Sequence, residues 1–407
     1  MKDARGTLYA VSTRHKDHTF LAEPPASRLK YSMISVDDHV LETPGVFRDR
    51  VAQRLHDDVP HVVEEDGVPI WHIGDLIQPI IASNALIGRP LEEWDPYEPL
   101  RYDEMRRGAW DVEARIPDMD VVGVQASMNF PSMIFGFAGQ LFLNLSPEVA
   151  IASVDAWNDW LHEEWFLPYP DRIIPMQLVW MGDATVAAAQ IRRNAERGFR
   201  SVSFSEIPER LGLPSIHSGY WEPFFEACVE TDTAINLHVG SSSSVVTGST
   251  DAPEGTAQIL FPMSAVVSAT DWLMSGVAVR HPNIKIVLSE GGIGWVPMLL
   301  DRLEHLARFD REQHNTKELW RGVAETPSEI LLRNFFFTTF EDPTSFRVID
   351  RIGIDNVMLE VDYPHQDSSW PHTQTLLDDQ FTSVPEDVIH GLVYGNAARI
   401  YCYEPRS

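Results

Sequence analysis

Residues 32–42 read SMISVDDHVLE, and this stretch decides how the rest of the chain is read. A short apolar, β-branched run breaks off into Asp37, Asp38 and His39. In an extended strand residues i and i+2 share a face, so Asp37 and His39 point together while Asp38 points away. Working outward, seven further runs of the same kind follow: Gly123 to Asn129, Arg172 to Val179, Arg200 to Phe204, Ala234 to Val239, Lys285 to Ser289, Phe335 to Phe340 and Val357 to Val361. Amphipathic stretches such as Ala184 to Glu196, Trp221 to Glu230 and Trp295 to Arg308 lie between them. Strand and helix alternating eight times predict an α/β protein built as a (β/α)8 TIM barrel. An open doubly wound sheet uses the same alternation, but no G-x-G-x-x-G turn follows an early run.

The barrel is expected over 31–407, preceded by an arm, 1–30, that could wrap a neighbouring subunit. The gap from about 41 to 116 holds the aromatic, Pro-rich stretch from Trp71 to Tyr102. It is too long for a simple crossover and is expected to form an inserted lid or subdomain.

The chain has 407 residues, 44% hydrophobic and 23% charged, which is ordinary globular composition. Lys and Arg total 32 against 60 Asp and Glu, a formal net charge of −28. That balance argues against nucleic acid and against anionic membranes as partners. No apolar run approaches the length of a transmembrane helix, and no signal-peptide pattern is visible. Two cysteines far apart, Cys228 and Cys402, fit a cytoplasmic location.

A TIM barrel carries its chemistry at the C-terminal ends of its strands. Those ends hold Asp37 and His39, then His238 before a Ser-rich loop, then Glu290 before two glycines, then Asp362 with His365 close behind. This nitrogen and oxygen set suits Zn²⁺, Fe²⁺ or Mn²⁺ and lacks the thiolates of a structural zinc site. Singly, each residue reads as a capping or hydrogen-bonded side chain; their joint position at four strand ends is what points to a metal. Among the aromatics, most are expected to pack helices and lid. Phe130, Phe135 and Trp370 follow strand ends and are the pocket candidates, with Asn129 as a residue that could orient substrate.

At these residues the sequence resembles the amidohydrolase superfamily, and within it the amidohydrolase-2 group that includes aminocarboxymuconate-semialdehyde decarboxylase-like and resorcylate decarboxylase-like enzymes. The resemblance runs from about Ile34 to Tyr401. It rests on Asp37-x-His39-x-x-Glu42, Asn236-Leu237-His238, the run from Ser289 to Pro297, Asp362-Tyr363-Pro364-His365, and the run from Gly395 to Tyr401. It implies a divalent metal at the barrel mouth, with Asp37, His39, His238 and Asp362 as ligands, short strands inserted near the first barrel strand, and often a homodimer. The sequence departs from many relatives after the sixth strand, where Glu290 stands in place of a histidine. No lysine lies between Lys30 and Lys285, which rules out a carbamylated-lysine bridge.

Asp37, Glu42, Glu290 and Asp362, with Glu206 as a further candidate, are many carboxylates for one ion, since crowded like charges raise one another's pKa. Two ions per chain are therefore expected, with Glu42 and His365 among the ligands or their partners and Glu290 or Glu206 binding the second ion. Metal-activated water would attack an ester, a thioester such as an acyl-CoA, a lactone or an amide. Asp362 or Glu290 would carry the proton to the leaving group. The alternative is a mononuclear, non-oxidative decarboxylase of an aromatic or unsaturated acid, with Asp362 protonating the carbon that loses CO2.

Overall fold

All eight positions of β1 (Met33–Val40) are buried, as a strand covered on both faces requires. A computed structural model describes residues 18–25, 28–253, 255–310 and 322–405, so much of the expected arm lies outside the described residues. Each of the eight apolar runs contains a strand. By contacts the chain divides into two compact units: residues up to Gly182 with Val361–Leu376 and the C-terminal end, and Asp183–Glu360 with Leu377–Tyr403. The division falls inside the single barrel domain expected from the sequence.

In the first unit β1 is followed by the expected insertion. It contains a three-stranded antiparallel sheet of β2 (His61–Glu65), β3 (Val68–Ile73) and β4 (Leu76–Pro79). Helix α1 (Val112–Val122) starts where the Asp111 side chain accepts hydrogen bonds from the N–H groups of Glu113 and Ala114. It ends at Gly123, whose φ of +77° and close approach to the Tyr31 carbonyl leave no room for a Cβ. β5 (Val124–Pro131), helix α2 (Pro147–Trp160), β6 (Ile173–Ile174) and β7 (Met176–Gln177) complete the unit's regular elements before Gly182. β1, β5 and β6 form a parallel sheet in that order. Of the arm, Thr19 is bonded to Glu93, Leu21 to Gly88 and Glu23 to Arg106, so this part of it lies on the chain's own insertion, while the Lys30 N–H donates to Gln374.

In the second unit β8 (Ser201–Ser203), β9 (Ala234–His238), β10 (Ile286–Ser289), β11 (Phe335–Thr339) and β12 (Val357–Leu359) pair in sequence order, all parallel. Helix α3 (Ala184–Ala195), capped by Asp183, packs on α4 (Glu222–Glu230), and α5 (Gly255–Met274) follows β9. Strand-by-strand parallel pairing with helical crossovers is what the alternation in the sequence demands. Lys285 pairs with Asp232 at the N-terminal end of β10, away from the strand ends that carry the candidate ligands. Among the described residues no helix is long and apolar enough to cross a membrane.

Candidate metal centre

The pairing of β1 with β5 slips between Ser35 and Asp38: Ser35 faces Ser127 and Asp38 faces Asn129, so β1 carries one extra residue. Such a bulge re-aims side chains at a strand end. Asp37 and His39 lie on one side of the strand and Asp38 on the other. The Asp38 carboxylate accepts from Ser127 Oγ at 2.5 Å and from the Tyr363 N–H at 3.0 Å. Burial raises its pKa to about 6.

His39 Nε2 lies 3.4 Å from Asp37 Oδ1 and 3.1 Å from Asp362 Oδ1, with all three side chains fully buried. Asp362 arrives here because residues 361–363 run alongside β1: Val361 N–H donates to Ser35 Oγ, Asp362 N–H to the Asp37 carbonyl, and His39 N–H to the Tyr363 carbonyl. Asp362 itself has φ of +58°, a conformation that costs a non-glycine residue energy and is concentrated at functional sites. His365 follows, its Nδ1 3.0 Å from Asp362 Oδ1 and its ring stacked on that of His39 at 3.7 Å.

The hydrogen bonding fits a cation at this point. His39 Nδ1 faces the Pro131 carbonyl at 3.4 Å, which keeps the proton on Nδ1 and turns the Nε2 lone pair toward two carboxylates. A lone pair against two acceptors is repulsive unless a positive charge sits among them. Metal bonds of about 2.1 Å set neighbouring donor atoms roughly 3.0–3.4 Å apart, which is the spacing seen here. His39, Asp362 and His365 each offer a ligand atom within 4.8 Å of the others. Burial lowers the pKa of His365 to about 4, so its imidazole is neutral, and its Nε2 is buried without a hydrogen-bond partner.

In the second unit the same pattern recurs at the end of β9. His238 Nδ1 faces the Val239 carbonyl at 2.7 Å, and its Nε2 lies 3.1 Å from Glu290 Oε2. Glu290 also has a positive φ, +57°, and its N–H donates to Thr338 Oγ1 at 3.0 Å. Glu206, beyond β8, is held elsewhere: Oε1 accepts from the Gly240 N–H at 3.1 Å and from Ser242 Oγ at 2.9 Å. Burial pushes its pKa up to about 7.

Glu42, expected among the ligands, is occupied by hydrogen bonds. Its carboxylate accepts from Trp157 Nε1 at 2.8 Å and from Ser132 Oγ at 2.5 Å, and burial raises its pKa to about 7. It ties the loop after β5 to α2. The pocket candidates separate in the same way. Asn129 pairs with Asp38 on the face of β1 and β5 turned away from His39, where Arg115 Nη1 donates to its Oδ1 at 2.6 Å. Phe135 is enclosed by Phe47, Trp71 and Phe142, and Trp370 lies under the Arg106 guanidinium with its Nε1 donating to the Asp118 carbonyl. These three hold the framework. Phe130 packs 5.8 Å from the His39 ring, and Phe137, which the strand-end reading passed over, lies closer at 5.1 Å.

No curated protein sequence matches the chain. Among solved structures, an amidohydrolase from Mycobacterium avium subsp. paratuberculosis K-10 is 22% identical, with 92% of this chain and 100% of that one covered at a TM-score of 0.71. The 5-carboxyvanillate decarboxylase of Sphingomonas paucimobilis is 20% identical over 91% of this chain and 98% of its own, at a TM-score of 0.62. A dihydroxybenzoic acid decarboxylase from Polaromonas sp. JS666, solved with bound manganese and 2-nitroresorcinol, is 16% identical over 91% and 97% at a TM-score of 0.59. The shared fold is the (β/α)8 barrel expected from the sequence. The amidohydrolase family profile matches residues 39–402, nearly the whole chain, and the protein belongs to that family of metal-dependent enzymes.

Proposed function

We propose that the protein is a hydrolase of uncharged carboxylic acid derivatives, using one divalent ion held by Asp37, His39 and Asp362. The observation that carries this reading is the His39 Nε2 lone pair set 3.4 Å from Asp37 and 3.1 Å from Asp362. Two carboxylates at the ion make acidic surroundings, which suit a neutral acyl group better than a substrate carboxylate. Two ions would be needed if Glu42 and Glu206 also faced the ion. Both oxygens of Glu42 are engaged by hydrogen bonds, and Glu206 Oε1 accepts from Gly240 and Ser242, which favours one.

A divalent ion here supplies Lewis-acid chemistry, acidifying water and polarising a carbonyl. The remaining work falls to the chain. The Asp362 carboxylate, whose Oδ1 lies 3.0 Å from His365 Nδ1, takes a proton and passes it to the leaving group. Glu290 is the second acid proposed for proton transfer.

Decarboxylation is the other reading, supported by two of the similar structures being decarboxylases and by the aromatic ring of Phe137 against His39. The two separate in one experiment. The Mn²⁺-loaded protein is given aryl esters, aryl thioesters and 2,6-dihydroxybenzoate while acid release and CO2 release are followed. Hydrolysis without CO2 supports the proposal, and CO2 release without ester or thioester cleavage replaces it with the second reading.

A further inference from the structure

We propose that Phe137 is a specificity-determining residue, a platform on which a planar aromatic or unsaturated acyl group lies while its oxygen reaches the ion. This rests on the metal reading above but not on the choice between hydrolysis and decarboxylation.

The loop after β5 is held in place by hydrogen bonds and packing on both sides of Phe137. Ser132 is clamped by Glu42, the Met133 N–H donates to Asn84 Oδ1 at 3.1 Å, and the Ile134 carbonyl accepts from Gln78 Nε2 at 2.6 Å. Phe135 is locked in the aromatic cluster of Phe47, Trp71 and Phe142. The turn then closes through the Gly139 N–H to the Gly136 carbonyl at 2.8 Å and the Ala138 N–H to Gln140 Oε1 at 3.0 Å. Gly136 has φ of +75°, and a Cβ there would collide with the Gln140 side chain, so the turn is built for this geometry.

The result is that Phe137 is carried on a rigid support with its ring 5.1 Å from His39 and 5.9 Å from His365. Within residues 130–142 only Met133 and Phe137 are half-buried; all others are buried. A large apolar residue left half-buried beside the buried His39 and His365 rings is poor packing for a core and a good wall for a pocket. Offset and edge-to-face contacts would reward a flat π-system over an alkyl chain of similar size.

The test uses two metal-chelating probes that differ only in the group meeting Phe137. Binding of benzohydroxamate and acetohydroxamate to the Mn²⁺-loaded protein is measured by calorimetry, for the wild type and for Phe137→Leu, which keeps an apolar side chain on the turn. The expected result is that the wild type prefers benzohydroxamate by about tenfold or more. Phe137→Leu should lose most of that preference with its acetohydroxamate affinity unchanged. Equal affinities in the wild type, or a variant that keeps the wild-type ratio, overturns the platform while leaving the metal reading intact. Failure of both probes to bind, or binding that survives chelation of the metal, overturns the metal reading and the platform with it.

Discussion

The Arg115 guanidinium, fully buried, donates from Nη2 to the backbone carbonyl of His39 at 2.5 Å. Its other donors reach the Gly108 carbonyl and Asn129 Oδ1, and its flat face covers the Tyr363 ring at 4.1 Å. One cation on α1 therefore fixes the backbone of β1 at a ligand, the side chain opposite it on β5, and the residue after Asp362. Replacing it with methionine keeps most of the volume but strands two carbonyls and an amide oxygen in the interior. The expected loss is about 3 kcal/mol of stability, read as a lower urea midpoint. Metal content should also fall, while Arg115→Lys, which restores the charge but not the fork, should recover only part of each. A methionine variant with wild-type stability and metal content would contradict this role.

Metal binding to a group of buried acids and imidazoles should be coupled to folding. Chelation is expected to lower the melting temperature, and readdition of Mn²⁺ or Zn²⁺ to restore it, because an ion at about a thousand times its dissociation constant contributes roughly 4 kcal/mol. Thermal scans with and without chelator check this. An unchanged midpoint would mean that the acids around His39 need no cation to be held together.

Glu42 gives a pH dependence with a definite sign. Burial raises its pKa from 4.5 to about 7, so the folded state favours the protonated carboxyl. Its contribution to stability is fully present below about pH 4.5, declines as pH rises through 7, and is constant above that. Glu42→Gln, which keeps a group able to bond Trp157 and Ser132, should flatten this part of the profile and retain the metal. Urea unfolding at pH 5 and pH 8 tests it; a variant with the wild-type slope, or one that loses its metal, would contradict the placement of Glu42 as a structural acid.

The Glu290 and Asp362 side chains should differ in what they remove. Asp362→Asn is expected to lower both metal content and turnover. Glu290→Gln is expected to lower turnover by roughly 100-fold, the size of a lost proton-transfer group, with metal retained. Metal analysis beside rate measurements on the same samples separates the two, and a Glu290→Gln enzyme with unchanged turnover would remove Glu290 from the proton path.

Strand periodicity made the order of the parallel strands legible, and the i, i+2 rule paired Asp37 with His39 correctly. The bulge between Ser35 and Asp38 leaves no mark in the residues themselves. The hydrogen bonds of Glu42 are not legible in the sequence because β1 ends at Val40, where alternation stops, and its partner Trp157 lies 115 residues away. Phe135 and Phe137 look alike in sequence. Which of them turns toward the histidines is decided by the two glycine turns and the Gln140 side chain, and these act through three-dimensional packing.

Metal stoichiometry, determined by elemental analysis of the purified protein and of its His39→Ala variant, tests the central claim most directly. The account predicts about one tightly held ion per chain in the wild type and close to none in a folded variant. Two ions in the wild type, or an undiminished content in the variant, would contradict it.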